Sequence, residues 1–236
     1  MRIIKNCCSE HNISTARAIQ IGTLNYYREN DSKFIVDPQE GFGFHTFRSE
    51  DKKIIFQEKD ATALSQGMIV GGRIVINPGG KFSGALWSPN VYIFCCSYVE
   101  YPSKELADSF GYDSYYEIAD PDMFMRKVQE GFTGRVRLRL ANIRTVEVMH
   151  IHGPVRYQEI REHLHSSECS LSDLMIRNLF TKPKVSPIHS DINFAENQEY
   201  RFAWIFLEEE TKRILEVEDA PILILNVEAI RQACSY

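Results

Sequence analysis

The chain has 236 residues, of which 44% are hydrophobic and 25% are charged, a composition typical of a folded globular protein. Its formal net charge of −5 argues against a protein that coats nucleic acid, because that binding mode needs a basic surface. No apolar run approaches the ~20 residues of a membrane-spanning helix, and the first residues lack the apolar core of a signal peptide. We therefore expect a cytoplasmic protein without a membrane partner.

Alternating and β-branched residues predict strands in the first half of the chain, at residues 2–7, 19–24, 53–56, 72–76 and 91–97. A polar, turn-rich loop is predicted over residues 29–43. The six cysteines include the adjacent pairs Cys7-Cys8 and Cys95-Cys96. Neighbouring residues of a strand face opposite ways, so these pairs are poorly placed for disulfides and we expect reduced thiols.

The second half adds two predicted helices. Asp120 is a good N-cap and Pro121 suits a first turn, while Phe124 and Val128 recur at helical spacing, which predicts a helix over residues 120–131. Helical periodicity also marks residues 170–180, and strands are predicted at 134–140, 145–152, 202–207 and 221–227. Because strands outnumber helices without regular alternation, we expect an α+β fold of mixed, mostly antiparallel sheets with a few flanking helices. We expect one domain over residues 1–236.

The most informative local feature is a charged pair at the start of a strand that is expected to be buried. Glu199 and Arg201 precede the apolar run 202–207 and, two residues apart on a strand, point to the same side. A charged pair there is costly unless its members pair with each other or line a cavity. Two interpretations stay open: a structural ion pair, or part of a binding site.

A second group of polar residues belongs to the loop. Tyr26 and Tyr27 offer stacking surfaces, Arg28 offers a planar set of donors, and Asp37 and Glu40 offer acceptors. Loops that combine aromatic and charged residues often carry binding sites.

Histidines and arginines form the remaining clusters. His150 and His152 share a predicted strand face, and His163 and His165 precede Cys169, but no set has the spacing of a known zinc signature, so we predict no metal. Arginines 135, 137 and 139 share one face of a predicted strand, which keeps RNA open as a partner.

Five short motifs follow one another along the chain: G-T-L-x-Y-Y-R at residues 22–28, D-P-x-E at 37–40, C-x-S at 95–97, F-x-K-P at 180–183 and E-Y-R at 199–201. Their order resembles a bacterial family of unknown function. The layout is also similar to that of a divergent ADP-ribosyltransferase, in which a G-x-L turn follows an early strand and a glutamate opens a late core strand. Gly22-Thr23-Leu24 and Glu199 occupy those places, and Lys5 and Asn6 are the polar candidates in the first strand.

This resemblance implies an NAD-dependent ADP-ribosyltransferase, a bacterial toxin or antiphage effector, with an ADP-ribosyltransferase-like fold. NAD would be its substrate, a protein or RNA its macromolecular target, and a cognate antitoxin a further candidate partner. Glu199 would be the catalytic carboxylate, since an anion near the ribose stabilises the positive charge that develops when the nicotinamide bond breaks. The residues expected to contact NAD are Tyr26, Tyr27, Arg28, Asp37, Glu40, Ser97 and Arg201.

Two other functions fit the same residues. The first is a non-catalytic binding or regulatory module in which the Glu199–Arg201 pair is structural. The second is a metal-dependent phosphoesterase that uses Asp37, Glu40 and the histidines. A transferase site predicts that Glu199 lies in a pocket together with Arg28, Asp37, Glu40 and Ser97, with Tyr27 or Arg28 on the same wall.

Overall fold

The structure is a computed structural model that describes residues 1–29, 40–65, 71–132, 136, 145–158, 162–165, 170–183, 198–210 and 212–236. For residues 62, 158, 162–164 and 183 only the backbone is described. Asp37 and the arginines 135, 137, 139 and 144 lie outside the described residues.

The strands of the described residues, in chain order, are β1 (Arg2–Cys7), β2 (Ile19–Thr23), β3 (Phe42–Arg48), β4 (Ile54–Phe56), β5 (Ile74–Ile76), β6 (Lys81–Trp87), β7 (Tyr92–Val99), β8 (Ser114–Ile118), β9 (Val146–Pro154), β10 (Arg156–Gln158), β11 (Glu162–His165), β12 (Thr181–Pro183), β13 (Glu199–Glu208), β14 (Ile214–Leu215), β15 (Ile222–Ile224) and β16 (Cys234–Ser235). The helices are α1 (Leu24–Glu29), α2 (Glu58–Leu64), α3 (Lys104–Ser109), α4 (Pro121–Gly131), α5 (Leu171–Leu179) and α6 (Val227–Arg231).

Strand pairing confirms the α+β class with mostly antiparallel sheets. Within the described part of the chain, only β10 with β12 and β11 with β3 run parallel, and every other strand pair is antiparallel. Helices and strands do not alternate regularly along the chain. These features are those of an α+β fold rather than of a parallel α/β sheet.

The chain divides into two compact units, each made of discontinuous segments. Unit 1 comprises Met1–Pro38, Asn90–Val155 and Asn193–Tyr236, and unit 2 comprises Gln39–Pro89 and Arg156–Ile192. The chain enters and leaves unit 2 twice, so neither unit is a continuous stretch of sequence. The single domain over residues 1–236 stays a prediction.

Unit 1 is built on a nine-stranded sheet with the main order β14-β13-β7-β1-β8-β16. β9 pairs with β13 over nine residues, and β2 pairs with both β7 and β15. Alternate residues of β13 from Tyr200 to Phe206 enter one hydrophobic cluster together with the buried face of α4. In that cluster the rings of Phe124 and Phe202 lie 5.0 Å apart, and the indole of Trp204 donates to the carbonyl of Met125 at 3.2 Å. This packing fixes the orientation of β13, and with it the side of the sheet that Glu199 faces.

Local signals of the sequence account for both long helices. The side chain of Asp120 accepts a hydrogen bond from the amide of Met123 at 2.8 Å and caps α4, while Pro121 opens its first turn. Helix α5 buries Leu171, Leu174 and Leu179 along one side. Both predicted helices are confirmed, to within two residues at each end.

The prediction was wrong at Leu24 and in the segment that follows it. Leu24 begins α1 instead of ending β2, and Tyr26, Tyr27 and Arg28 lie on this helix rather than in a loop. A helix of six residues is too short to show a repeating apolar pattern. Its start is marked only by Thr23, whose hydroxyl accepts from the amide of Tyr26 at 3.1 Å.

Unit 2 has its own hydrophobic cluster, formed by residues of β3 to β6 together with α2 and α5. β3 and β6 pair antiparallel over seven residues, and β11 extends that sheet on the other edge of β3. Neither β3 nor β6 was predicted. In β3 the aromatic residues fall on both faces, because Phe47 is fully buried whereas Phe44 is 42% exposed, so the apolar and polar residues do not alternate.

Candidate functional site

The charged pair of β13 is present and deeply placed. Arg201 is fully buried, and the side chain of Glu199 is 11% exposed. The Arg201 Nε donates to Glu199 Oε1 at 3.0 Å, and its Nη2 donates to the same oxygen. Gln198, just before the strand, has φ of 41°, a left-handed conformation that is uncommon for a residue other than glycine. The backbone therefore makes an unusual turn immediately before it presents Glu199.

Two neighbouring strands add polar groups on the same side of the sheet. Glu199 lies opposite Ser97 of β7, and Ser97 in turn lies opposite Ile4 of β1. Asn6 is two residues beyond Ile4 and so shares its face, and its Nδ2 donates to Ser97 Oγ at 3.0 Å. Three adjacent strands thus bring Glu199, Ser97 and Asn6 to one face of the sheet.

Asn6 carries an acceptor that its surroundings leave unused. The residue is 7% exposed, and its Oδ1 has no hydrogen-bond partner among the described residues. Most buried side-chain polar atoms in proteins are hydrogen-bonded, because leaving one unpaired costs about 1–3 kcal/mol. An amide oxygen in this state is suited to accept an N–H from a bound molecule.

The sheet of unit 1 splits next to these residues. On one edge of β7, β1 pairs with residues 97–99 and β2 pairs with residues 92–93. Among the described strands, none covers residues 94–96 on that edge. Lys5 reaches into this gap: its Nζ donates to the carbonyl of Cys95 at 3.0 Å and lies 4.6 Å from the centre of the Phe94 ring. The split leaves a concave region between β1 and β2.

A cavity of about 450 Å³ occupies this region of unit 1, a volume typical of small-molecule sites. Its wall combines polar groups from β1 with aromatic groups from α1. The lining residues that matter chemically are Lys5, Asn6, Arg17, Gly22, Tyr26 and Tyr27. Phe94, Tyr112 and Tyr116 add further rings to the wall, and Glu10 adds a carboxylate. The cavity can therefore offer aromatic rings, an amide, two cations and one carboxylate to a ligand.

Gly22, the glycine of the G-T-L motif near the end of β2, is needed for the position of one tyrosine. A Cβ atom on Gly22 would lie 2.6 Å from Cε2 of Tyr27, closer than real side chains approach each other. Burial raises the pKa of Tyr27 well above its usual value, and the nearby Cys95 and Glu199 add to that shift. Tyr27 therefore lines the cavity and also lies near the Glu199 carboxylate.

The other predicted site residues have different surroundings. Arg28 Nη1 donates to Asn25 Oδ1 at 2.7 Å, and Arg28 is not among the residues that line the cavity. Ser97, Glu199 and Arg201 do not line it either. Glu40 belongs to unit 2, where it is 2% exposed and forms an ion pair with Lys182 at 2.7 Å.

Sequence reasoning did not find Arg17. It lies in the segment between β1 and β2, is exposed, and has no ion-pair partner within the described residues. No periodic pattern marks it, because Arg17 lies outside the one short 3-10 helix of this segment (Ser9–His11), and its place at the cavity depends on how β1 and β2 separate. Lys5 and Asn6 were found as the polar residues of the first strand, and both line the cavity.

His150 and His152, the histidines of β9, take part in hydrogen bonds between side chains. His150 Nδ1 lies 3.0 Å from Gln129 Oε1, and His152 lies between the hydroxyl of Tyr200 and the carboxylate of Asp122. Within the described residues, no group of three or more His, Cys, Asp or Glu side chains could hold a metal ion. The phosphoesterase hypothesis has no ligand set in this part of the chain.

None of the helices that the structure describes has both the length and the apolar character needed to cross a membrane. Compared with known protein families, with curated proteins and with solved structures, the chain matches none of them.

Proposed function

We propose that the protein is an NAD-dependent ADP-ribosyltransferase, a bacterial toxin or antiphage effector that modifies a macromolecular target, with Glu199 as its key carboxylate. One observation carries the proposal. Glu199, Ser97 and Asn6 come from three adjacent strands to one face of the sheet, and Asn6 continues into a cavity that Tyr26 and Tyr27 also line.

The groups at the cavity fit the parts of NAD. The aromatic faces of Tyr26 and Tyr27 suit the nicotinamide or adenine ring, and the unpaired Asn6 Oδ1 suits the N–H of the nicotinamide carboxamide. Lys5 and Arg17 would neutralise the pyrophosphate in place of Arg28 and Arg201, since Arg201 is fully buried against Glu199. Gly22 keeps the ring of Tyr27 in its place at the cavity, because any larger residue at position 22 would displace that ring.

The chemistry needs an anion that is held in place. Bound NAD supplies a nicotinamide–ribose bond whose cleavage leaves positive charge on the ribose carbon. Glu199 does not line the cavity itself, so the proposal requires the ribose to extend from the cavity past Tyr27 to this carboxylate. There Glu199 stabilises that charge and accepts the proton of the attacking nucleophile, which forms the new bond to the ribose carbon as nicotinamide leaves. Arg201 orients the carboxylate through its two donors to Oε1. Because β13 is packed on both faces, the carboxylate is mounted on a rigid element.

Incubation with labelled NAD and a cell lysate tests the proposal. The wild type should transfer label to a macromolecule, and Glu199→Gln should lose at least 100-fold of that activity, since removing one stabilising group from a transition state costs about 10²–10³ in rate. Glu208→Gln is the matched control, because Glu208 ends the same strand in an ion pair with Arg213 that is partly exposed. Equal labelling by wild type and Glu199→Gln would remove the catalytic role of this residue.

A second candidate is a non-catalytic binding module in which the pair is structural. The complete burial of Arg201 favours it, because a buried guanidinium needs a carboxylate beside it whether or not the site is catalytic. This candidate predicts no release of nicotinamide from NAD by the wild type, with or without lysate. Nicotinamide release measured by chromatography separates the two candidates.

A further inference from the structure

The outer face of the β3–β6 pair in unit 2 combines exposed aromatic rings with exposed cations. Residues of the two strands that lie opposite each other share a face, and the four outward pairs are Phe42 with Trp87, Phe44 with Ala85, Thr46 with Ser83, and Arg48 with Lys81. Within these pairs Thr46 is buried, so the exposed residues lie at the two ends and at Ser83. The inward residues of the same strands enter the core, where Phe47 and Leu86 are almost completely buried. We call the four outward pairs the aromatic–basic face.

Two of the three rings at the aromatic end of this face are exposed, and the third, Phe42, is half-buried. Phe44 is 42% exposed and Trp87 is 41% exposed, and the rings of Phe42 and Trp87 lie 4.7 Å apart. Single exposed apolar residues are ordinary on a protein surface, but three neighbouring aromatic rings on one sheet face form a platform. Flat rings on a sheet are the surface on which unpaired bases stack.

The basic end of the face adds an unusual pair of charges. Arg48 and Lys81 lie directly opposite each other, and both are exposed. Neither has an ion-pair partner among the residues that the structure describes. Like charges directly opposite on neighbouring strands destabilise a sheet, so the free protein gains nothing from this arrangement. A bound anion between the two side chains would remove the repulsion.

Unit 2, which carries this face, is also the more positively charged of the two units. Unit 2 has 11 Lys and Arg residues against 10 Asp and Glu residues, a formal charge of +1. Unit 1 has 16 against 22, a formal charge of −6, so the negative net charge of the chain comes entirely from unit 1. The overall charge therefore does not argue against a polyanion on unit 2.

We propose that the aromatic–basic face binds single-stranded RNA, with bases stacked on Phe44 and Trp87 and the backbone phosphate between Arg48 and Lys81. Between these two ends, Ser83 is exposed and bonds to Thr46 at 2.8 Å. A hydroxyl has one donor and two acceptor positions, so Ser83 keeps capacity for a ribose 2′-hydroxyl, the group that distinguishes RNA from DNA. The proposal concerns unit 2 alone and does not depend on NAD chemistry.

Fluorescence anisotropy with a labelled single-stranded RNA of mixed sequence tests the proposal on the full chain. Phe44→Ala and Trp87→Ala should each weaken binding about 10-fold, whereas Trp87→Phe keeps a ring and should bind within about twofold of the wild type. Tyr101→Ala is the matched control, since Tyr101 is a 77% exposed aromatic residue of unit 1, and it should bind as the wild type does. Replacing Arg48 and Lys81 by Gln should make the negative slope of log affinity against log salt shallower by about 1.4.

Three results would overturn the proposal. Wild-type affinity in Phe44→Ala, Trp87→Ala and the double Gln variant would show that RNA, if bound, binds elsewhere. Equal affinity for a DNA strand of the same sequence, unchanged by Ser83→Ala, would remove the assignment to RNA. A dimer in sedimentation velocity that Trp87→Ala dissociates, without RNA binding by the monomer, would make this face a contact between two copies of the chain.

Discussion

Removing the carboxylate of Glu199 should destabilise unit 1 by about 3–5 kcal/mol, because Glu199→Ala leaves the guanidinium of Arg201 buried without this partner. The magnitude follows from burial: Arg201 is fully buried and cannot turn to water for compensation. The same change at Glu208, whose ion pair with Arg213 is partly exposed, should cost less than about 1 kcal/mol. Glu208→Ala is therefore the internal control on the same strand.

Tryptophan fluorescence during urea unfolding can report unit 1 alone. The chain has two tryptophans, of which Trp204 is fully buried in β13 and Trp87 lies in unit 2. In a Trp87→Phe background the emission comes from Trp204. A loss of about 4 kcal/mol with a slope of about 2 kcal/mol per molar urea would lower the midpoint by ~2 M.

A double variant completes this experiment. Glu199→Ala combined with Arg201→Met removes the buried charge as well as its partner, and should recover at least half of the lost stability, because a buried ion pair can often be replaced by apolar residues at little cost. A midpoint for Glu199→Ala within about 0.3 M of the wild type would refute the reasoning, since it would mean that Arg201 does not depend on this carboxylate.

Three further predictions concern unit 1. Gly22→Ala should cost about 1–3 kcal/mol, because its Cβ would lie 2.6 Å from the ring of Tyr27, whereas Gly153→Ala, with nothing within 4 Å, should be near neutral by the same fluorescence assay. Asp120→Ala should lower the free energy of unfolding by about 1 kcal/mol through loss of the α4 cap, and Asp120→Asn should restore most of it. Burial raises the pKa of Cys7 from 9.0 to about 11, so the thiol of the unfolded chain ionises first and the free energy of unfolding should fall as the pH rises between those values. The melting temperature of Cys7→Ala should fall less steeply with pH than that of the wild type, and an identical dependence on pH would contradict this.

The parts of the fold that sequence could predict are those with a local cause. Helix α4 is set by its cap and its apolar spacing, and the shared face of Glu199 and Arg201 follows from the period of two of any strand. Strand β13 is longer than predicted, because it continues through Glu199 at one end and Glu208 at the other. The apolar pattern stops at the charged residues on either end, but the backbone pairing of the strand continues through them.

Residue type alone identified some residues of the candidate site but not their surroundings. Tyr26 and Tyr27 were singled out by residue type, and both line the cavity. Arg28 was chosen for the same reason, but its guanidinium bonds to Asn25 on its own helix. The surroundings of such a residue depend on the direction in which a six-residue helix turns its side chains, and sequence does not give that direction.

The sequence by itself determined the α+β class, the positions of the long helices and the shared strand face of Glu199 and Arg201, because each depends on residues close together along the chain. Only the tertiary structure decided that Asn6 meets Ser97 across 91 residues and that β1 and β2 separate along β7 to leave a cavity. It also brought Arg17 to that cavity and placed aromatic rings and cations at the two ends of the outer face of β3 and β6. The physical reason is that strand order and register are set by packing contacts between segments that are distant in sequence. Such contacts produce no periodic pattern within either segment.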